Sequence, residues 1–220
     1  MHAMAAPSVP AKPVLTSVPV TVAAGRRLPQ LALGLALYGA SDGLLVRAHL
    51  GLDPWDVFHE GVSKRFGLDF GLVAAITGVL VLLAWIPLRQ RPGVGTVANI
   101  ALVSLSIDAV LALVPPPSGL PVRIPMMLAA IVLNGLATAI YVGARLGPGP
   151  RDGLMTGLAG RTGWSIRLVR TGIEVIVLVV GWLLGGTVGV GTVLYAVGIG
   201  PLIQLFLRYC VWRPGDGVRG

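Results

Sequence analysis

The sequence predicts an all-α membrane protein of about six transmembrane helices, arranged as two inverted three-helix repeats. Apolar residues make up 55% of the 220 residues and charged residues only 12%, whereas soluble domains carry about 25% charged residues. The apolar runs reach the roughly 20 residues that a helix needs to cross a bilayer. The charged residues cluster in the gaps between these runs. Membrane topology therefore explains the net charge of +8 better than nucleic-acid binding does.

The two halves of the chain repeat at a constant offset of 96 residues. Gly-Leu-Asp-Pro-Trp-Asp begins at Gly51, and Gly-Pro-Gly-Pro-Arg-Asp begins at Gly147. Gly-Val-Gly-Thr at 93–96 recurs 96 residues later. An ungapped comparison of 29–97 with the second half gives 23 identities, where composition alone would give about six. A match at one fixed offset is the signature of an internal repeat.

The repeat and the apolar runs together predict the organisation of the chain. The proline-rich start of the chain is typical of disorder. The predicted regions are a disordered cytoplasmic tail at 1–28, a first repeat at 29–114, a linker at 115–124, a second repeat at 125–210 and a cytoplasmic tail at 211–220. The predicted spans are 30–48, 69–88, 97–114, 125–144, 166–185 and 192–209.

Two of these spans carry an internal carboxylate. Asp42 weakens the first span and Asp108 weakens the third, so five spans remain an alternative to six.

The distribution of basic residues predicts the orientation. With six spans, 13 Lys and Arg residues fall on the side of the two termini and 4 on the other side. The positive-inside rule places the richer side in the cytoplasm, so both termini are expected there. Three spans per repeat is an odd number, so the second repeat enters the membrane from the opposite face. Inverted repeats with a site at their interface are a recurring plan among secondary transporters.

A short helical segment follows the first span of each repeat. Pro54 and Pro150 suit the first helical position, and Asp56 and Asp152 place a carboxylate in the first turn. Segments of about 13 residues are too short to span, so each is either interfacial or a re-entrant half-helix. The glycines that we expect to shape these segments and the turns before the third and sixth spans are Gly51, Gly61, Gly147, Gly157, Gly93, Gly95, Gly189 and Gly191.

Ionisable residues inside or beside the spans are the candidate solute ligands. A charged group at the centre of a membrane helix costs about 3 kcal/mol on insertion scales, which suggests function by default. Arg170 and Glu174 are four residues apart, on one helix face, and can pair. The predicted substrate-binding residues are Asp56, Arg151, Asp152, Arg170, Glu174 and Asp108. The alternative for each is a structural role in packing or turn formation.

The sequence favours a non-enzymatic protein. His59-Glu60 begins like a zinc-protease motif, but Ser63 occupies the position of the second histidine. The single cysteine, Cys210, excludes an intramolecular disulfide and a cysteine-based metal site. We therefore expect no catalytic residues, no metal and no cofactor.

Several stretches resemble a known bacterial family. Gly-Leu-Asp-Pro-Trp-Asp-Val-Phe-His-Glu-Gly at 51–61, Gly-Pro-Gly-Pro-Arg-Asp-Gly-Leu-Met-Thr-Gly-Leu at 147–158 and Arg-x-x-x-Glu at 170–174 are similar to YczE-like membrane proteins of the YczE/YyaS/YitT group. The resemblance covers about 29–210 and implies a multi-pass protein of the bacterial cytoplasmic membrane. It supplies no substrate and no catalytic residue.

These observations lead to an expected function and one alternative. The first expectation is a protein that binds or transports a small solute, either a secondary permease or a subunit similar to vitamin-transporter S components. A stripe of small residues on the first span, Ala32, Ala36 and Ala40, is compatible with a partner membrane subunit. The alternative is a non-transporting accessory or regulatory membrane protein. A transporter needs a polar cavity between the repeats, whereas an accessory protein does not.

Overall fold

The computed structural model describes residues 17–212, and all regular structure in that range is α-helical. Residues 1–16 of the predicted tail 1–28, and 213–220 of the predicted tail 211–220, lie outside the described residues. The helices are α1 (Ala24–Ala48), α2 (Pro54–Phe66), α3 (Phe70–Leu88), α4 (Val94–Leu113), α5 (Leu120–Gly143), α6 (Pro150–Thr162), α7 (Ile166–Leu183) and α8 (Val190–Cys210).

The helix plan of the first half recurs in the second. Helices α5, α6, α7 and α8 each begin 96 residues after α1, α2, α3 and α4. The pattern of neighbours recurs as well: α1 packs on α4 as α5 packs on α8, and α2 packs on α7 as α6 packs on α3. The repeat in the sequence is therefore also a repeat in helix boundaries and helix packing.

Five helices within 17–212 are long and apolar enough to cross a membrane, namely α1, α3, α4, α5 and α8. The weak spans were expected to be the first and third, and this expectation is wrong. Asp42 and Asp108 leave α1 and α4 apolar enough, whereas α7 has 18 residues and carries Arg167, Arg170 and Glu174.

The N-terminal boundary differs from the prediction, because ordered structure begins before residue 28. Helix α1 begins at Ala24, and Arg27 is fully buried. Its guanidinium donates hydrogen bonds to the carbonyls of Ala144 (2.8 Å), Pro19 (2.8 Å) and three others in the same two segments. This arginine therefore ties the segment before α1 to the end of α5.

Helices α1 and α5 form the centre of the protein and run antiparallel. Gln30 Nε2 donates to the carbonyl of Ile140 at 2.9 Å, and Asn134 Nδ2 donates to Ser41 Oγ at 2.8 Å. Residue numbers therefore rise along α1 as they fall along α5. Gly34 lies against the backbone of Tyr141, where any side chain would overlap it. The two halves therefore meet through their first helices in opposite directions.

Each half also holds the loop that precedes the short helix of the other half. The Gly191 N–H donates to Leu50 O at 2.8 Å, and the Gly95 N–H donates to Leu146 O at 2.9 Å. Because the two bonds are related by the 96-residue offset, the contact is reciprocal. The Gly-Val-Gly-Thr motifs thus form helix starts that receive a loop from the opposite half.

Gly51 and Gly147 make this reciprocal contact possible. Their φ angles are 115° and 126°, values that residues other than glycine rarely adopt. A Cβ on Gly51 would lie 2.7 Å from Gly189 N, and one on Gly147 would lie 3.2 Å from Thr96 Oγ1. Both backbone conformation and space require glycine here.

Replacement of Gly147 by alanine is expected to destabilise the protein by about 1–3 kcal/mol through backbone strain. Gly160→Ala is the matched control, because Gly160 lies within α6 and a Cβ added to it would have no neighbour within 4 Å. The measurement is the melting temperature of the purified protein in detergent. Equal melting temperatures for the two variants would contradict the assigned role of Gly147.

Candidate functional site

The N-terminal ends of α2 and α6 meet inside the protein. Asp53 caps α2, since its Oδ1 accepts the N–H of Trp55 at 2.9 Å and that of Asp56 at 3.2 Å. Arg151, in the first turn of α6, points back at this end: its nitrogens lie 3.7 Å from Asp53 Oδ1 and 3.8 Å from Asp56 Oδ1. The guanidinium lies over the Trp55 ring, 5.0 Å from its centroid, within the range of a cation–π interaction.

Trp55 and Arg151 occupy equivalent positions in the two halves, 96 residues apart. Their stacking therefore lies where the two halves meet. The equivalent positions carry an aromatic ring in one half and a cation in the other, so the centre of the repeat is chemically asymmetric.

Asn134 organises a polar layer beside this centre. Its Nδ2 donates to Asp42 Oδ1 at 2.8 Å as well as to Ser41, and its Oδ1 accepts the Tyr195 hydroxyl at 2.9 Å. Asp42 and Asn134 are fully buried. The layer links α1, α5 and α8 through side chains that membrane helices otherwise avoid.

Asp42 belongs to a cluster of three buried carboxylates with Asp53 and Asp56. One carboxylate oxygen from each lies within 4.8 Å of the others. This group, which we name the acidic cluster, faces one nearby guanidinium, that of Arg151.

The environment of the short helix α2 shifts its titratable groups. Burial raises the pKa of Asp53 to about 7, and the Asp56 charge adds to the rise, whereas Arg151 opposes it. Burial lowers the pKa of His59 to about 3, so this ring is neutral at pH 7. His59 Nδ1 lies 3.1 Å from Asp56 Oδ1, and as the neutral ring it can donate a hydrogen bond there without adding charge.

A cavity of about 640 Å³ opens beside the acidic cluster. Proteins bind small molecules in pockets of about 300–1,000 Å³. The walls come from α1, α2, α4, α5, α6, α7 and α8, so both halves contribute. The polar side chains that line it are Ser17, Tyr38, Asp53, Asn99, Thr138, Tyr141, Arg145, Arg151, Asp152, Thr156, Arg170, Glu174 and Tyr195.

A second, much smaller pocket lies at the equivalent place in the other half. It has about 30 Å³ and is lined by α2, α3, α4 and α6. Ala74 and Gly78 in its wall correspond to Arg170 and Glu174 in the large cavity. A Cβ on Gly78 would come within 3.0 Å of Ile100, which shows how closely α3 and α4 approach. The repeat thus encloses one large chamber and one small one.

Five of the six predicted ligand residues lie at this site. Arg151, Asp152, Arg170 and Glu174 line the cavity, and Asp56 lies behind Arg151, fully buried. Arg170 Nε and Glu174 Oε1 are 2.8 Å apart, as the four-residue spacing indicates. Asp108 lies elsewhere: its Oδ1 accepts the Gly71 N–H at 2.8 Å and joins α4 to α3. The role of these residues in solute binding stays a prediction.

Sequence reasoning missed the polar layer. Asn134 and Tyr195 lie among scattered polar residues in apolar spans, and no motif marks them. One signal was available, because Asn134 is equivalent to Tyr38 and Tyr195 to Asn99 at the 96-residue offset, so both halves carry polar groups at these positions.

Comparison with known proteins places the chain in a family. Residues 25–208 match DUF6198, a family of unknown function. The chain belongs to the DUF6198 family. It is 41% identical over 184 residues to an uncharacterized protein of Haemophilus influenzae, covering 84% of each chain.

Two relatives in Bacillus subtilis agree with the resemblance seen in the sequence. The uncharacterized membrane protein YczE is 35% identical and covers 72% of this chain, with 74% of YczE matched. The uncharacterized protein YyaS is 26% identical, over 80% of this chain and 89% of its own. No solved structure matches. The chain is therefore a YczE-like membrane protein.

Asn134 and Glu174 are expected to differ in their contribution to stability. Asn134→Ala leaves buried partners unpaired at roughly 1–3 kcal/mol each, so we expect a loss of about 2–4 kcal/mol. Glu174→Gln is expected to change stability by less than about 1 kcal/mol, because the pair with Arg170 is open to solvent and exposed pairs contribute little. Unfolding of both variants in detergent checks the contrast. If Glu174→Gln lowers the free energy of unfolding as much as Asn134→Ala does, the Arg170–Glu174 pair has a structural role and this prediction is wrong.

Proposed function

We propose that this protein binds a small polar solute in the large cavity and carries it across the cytoplasmic membrane as an inverted-repeat permease. The observation that supports this most is the pair of chambers, one of about 640 Å³ and its counterpart of about 30 Å³. Chambers of unequal size, related by the repeat and both lined by the two halves, fit alternating access by inverted repeats.

The direction of the helices supports an inverted arrangement. Antiparallel α1 and α5 are expected when the second repeat enters from the opposite face. The proposal counts α7 as a sixth span, because Arg167 and Arg170 lie in its first turns and Glu174 pairs with Arg170. Arginines near a helix end can extend to the membrane surface.

The charge distribution supports a cavity that opens to the cytoplasm. Arg145 and Arg170, both in its wall, belong to the side on which 13 of the 17 Lys and Arg residues fall. The same rule places both termini in the cytoplasm. The short helices α2 and α6 are then re-entrant, with their N-terminal ends at the depth of the cavity.

The alternative of an accessory protein does not need these features. Such a protein has no use for a cavity of solute size lined by charges of both signs. A catalytic role has less support still, since no nucleophile–base pair is evident among the lining residues.

Filling the cavity is expected to abolish binding. A metabolite library is screened for compounds that raise the melting temperature of the purified protein. Each such compound is then tested on the Thr138→Trp variant, in which an indole occupies the cavity. Val132→Trp is the matched control, because Val132 is an exposed residue of the same helix. The proposal predicts loss of the shift in Thr138→Trp and retention in Val132→Trp. Retention in both variants would contradict it.

A further inference from the structure

The acidic cluster contains more buried carboxylate oxygens than the protein satisfies. Asp42, Asp53 and Asp56 are at most 3% exposed. Each uses Oδ1 in the contacts described above, and each keeps Oδ2 buried without a hydrogen-bond partner. A buried carboxylate oxygen without a partner is costly, so three at one place indicate a missing positive ligand.

The charge balance leads to the same conclusion. Arg151 is the guanidinium paired with the acidic cluster, and it reaches Asp53 and Asp56 only at 3.7 and 3.8 Å. Three buried carboxylates beside one guanidinium therefore have room for further positive charge, which a bound cation would supply.

We propose that the acidic cluster binds a hard cation and that this binding releases Arg151 into the cavity to hold an anionic group of the solute. The inference rests on the proposed function, because it names the coupling ion and the class of solute for that cavity. Carboxylate oxygens are the ligands that hard cations prefer.

The separation of the oxygens indicates the size of the cation. Three oxygens that lie within 4.8 Å of one another leave a common point no more than about 2.8 Å from each, close to the 2.3–2.6 Å of Ca²⁺ and reached without the strict octahedral geometry at 2.0–2.1 Å that Mg²⁺ requires. Na⁺ and Ca²⁺ are therefore the cations to test, with Mg²⁺ as the cation that should fit poorly.

Arg151 is placed to couple the cation to the solute. Its nitrogens lie 3.7 and 3.8 Å from the two aspartates, well beyond the 2.7–2.9 Å of a strong charge-assisted hydrogen bond. A cation in the acidic cluster would compete for the same oxygens and weaken this pairing further. The side chain is 27% exposed and lines the cavity, where a guanidinium suits a carboxylate or phosphate group.

The first test is the melting temperature of the full chain in detergent. Na⁺ or Ca²⁺ is titrated after EGTA treatment, with choline chloride keeping the ionic strength constant and Mg²⁺ as a comparison. A bound cation predicts a saturable rise of about 5–10 °C at a concentration 100-fold above its dissociation constant. No rise with Na⁺ or Ca²⁺ beyond that with choline would overturn the proposal, and the size of the rise with Mg²⁺ reports how strictly the site selects its cation.

Variants locate the effect. Asp42→Asn and Asp53→Asn each remove one charge, and asparagine preserves the capping role at position 53. Asp69→Asn is the matched control, because Asp69 is exposed and precedes α3. The cation-dependent rise should be lost in the first two variants and kept in the control. A rise that persists in both cluster variants would place the cation elsewhere and overturn the proposal.

The second test follows Arg151 directly. Since its guanidinium stacks on Trp55, its release should change the fluorescence of that indole. The change should half-saturate at the same cation concentration as the melting shift, and it should vanish in Trp55→Phe. Cation binding without this signal would overturn the coupling to Arg151.

The two proposals can fail separately. The cation tests use no solute, and the Thr138→Trp comparison is made both without added cation and with saturating Na⁺ or Ca²⁺. If the cation stabilises the protein but no compound binds in the cavity, the proposed cation site stands and the proposed permease function is overturned. If a compound binds in the cavity but no cation stabilises the protein, the permease proposal stands and the proposed cation site is overturned.

Discussion

The structure depends on the backbone of two short helices that begin inside the protein. The first turn of a helix leaves N–H groups without intrahelical partners, and in a membrane protein these groups must be satisfied by the chain itself. Asp53 does so for α2, and the loops before α2 and α6 are each held by the opposite half through Leu50 and Leu146. Each short helix therefore follows a loop that the other half holds, which ties the two halves into one unit.

The two halves share a backbone plan and differ in chemistry. Trp55 and Arg151, at equivalent positions, stack on each other. Gly78 is the equivalent of Glu174, and Ala74 is the equivalent of Arg170. Small residues let α3 and α4 approach, whereas the charged residues of α7 line an open space. Glycines also let the short helices pack closely against their neighbours. Gly153 of α6 accommodates the Trp85 ring of α3, and Gly181 of α7 accommodates the backbone of α2.

Much of the helix plan could be predicted from the sequence, because its signals are local. Pro54 and Pro150 mark the starts of α2 and α6, and Gly67 and Gly163 end them with positive φ. The offset of 96 residues then transfers each boundary from one half to the other. Hydrophobic length predicted the remaining helices within a few residues.

The side-chain partners could not be predicted in the same way, because they are set by tertiary packing. Arg27 resembles any basic residue before a span, and only the fold shows the backbone carbonyls that it satisfies. Asp108 resembles a buried ligand in sequence, but its partner is the Gly71 N–H of a neighbouring helix. Four of the cavity residues could be predicted, because the repeat and the cost of charge in a membrane both indicate them: Arg151, Asp152, Arg170 and Glu174.

The central claim is that two equivalent chambers open to opposite faces of the membrane. It is tested most directly by labelling single cysteines at the equivalent positions 74 and 170, in a Cys210→Ser background, with a membrane-impermeant maleimide. The account predicts that Arg170→Cys is labelled from the cytoplasmic face, in inside-out vesicles, and that Ala74→Cys is labelled, more slowly, from the outside of intact cells. Labelling of both positions from one face would contradict it.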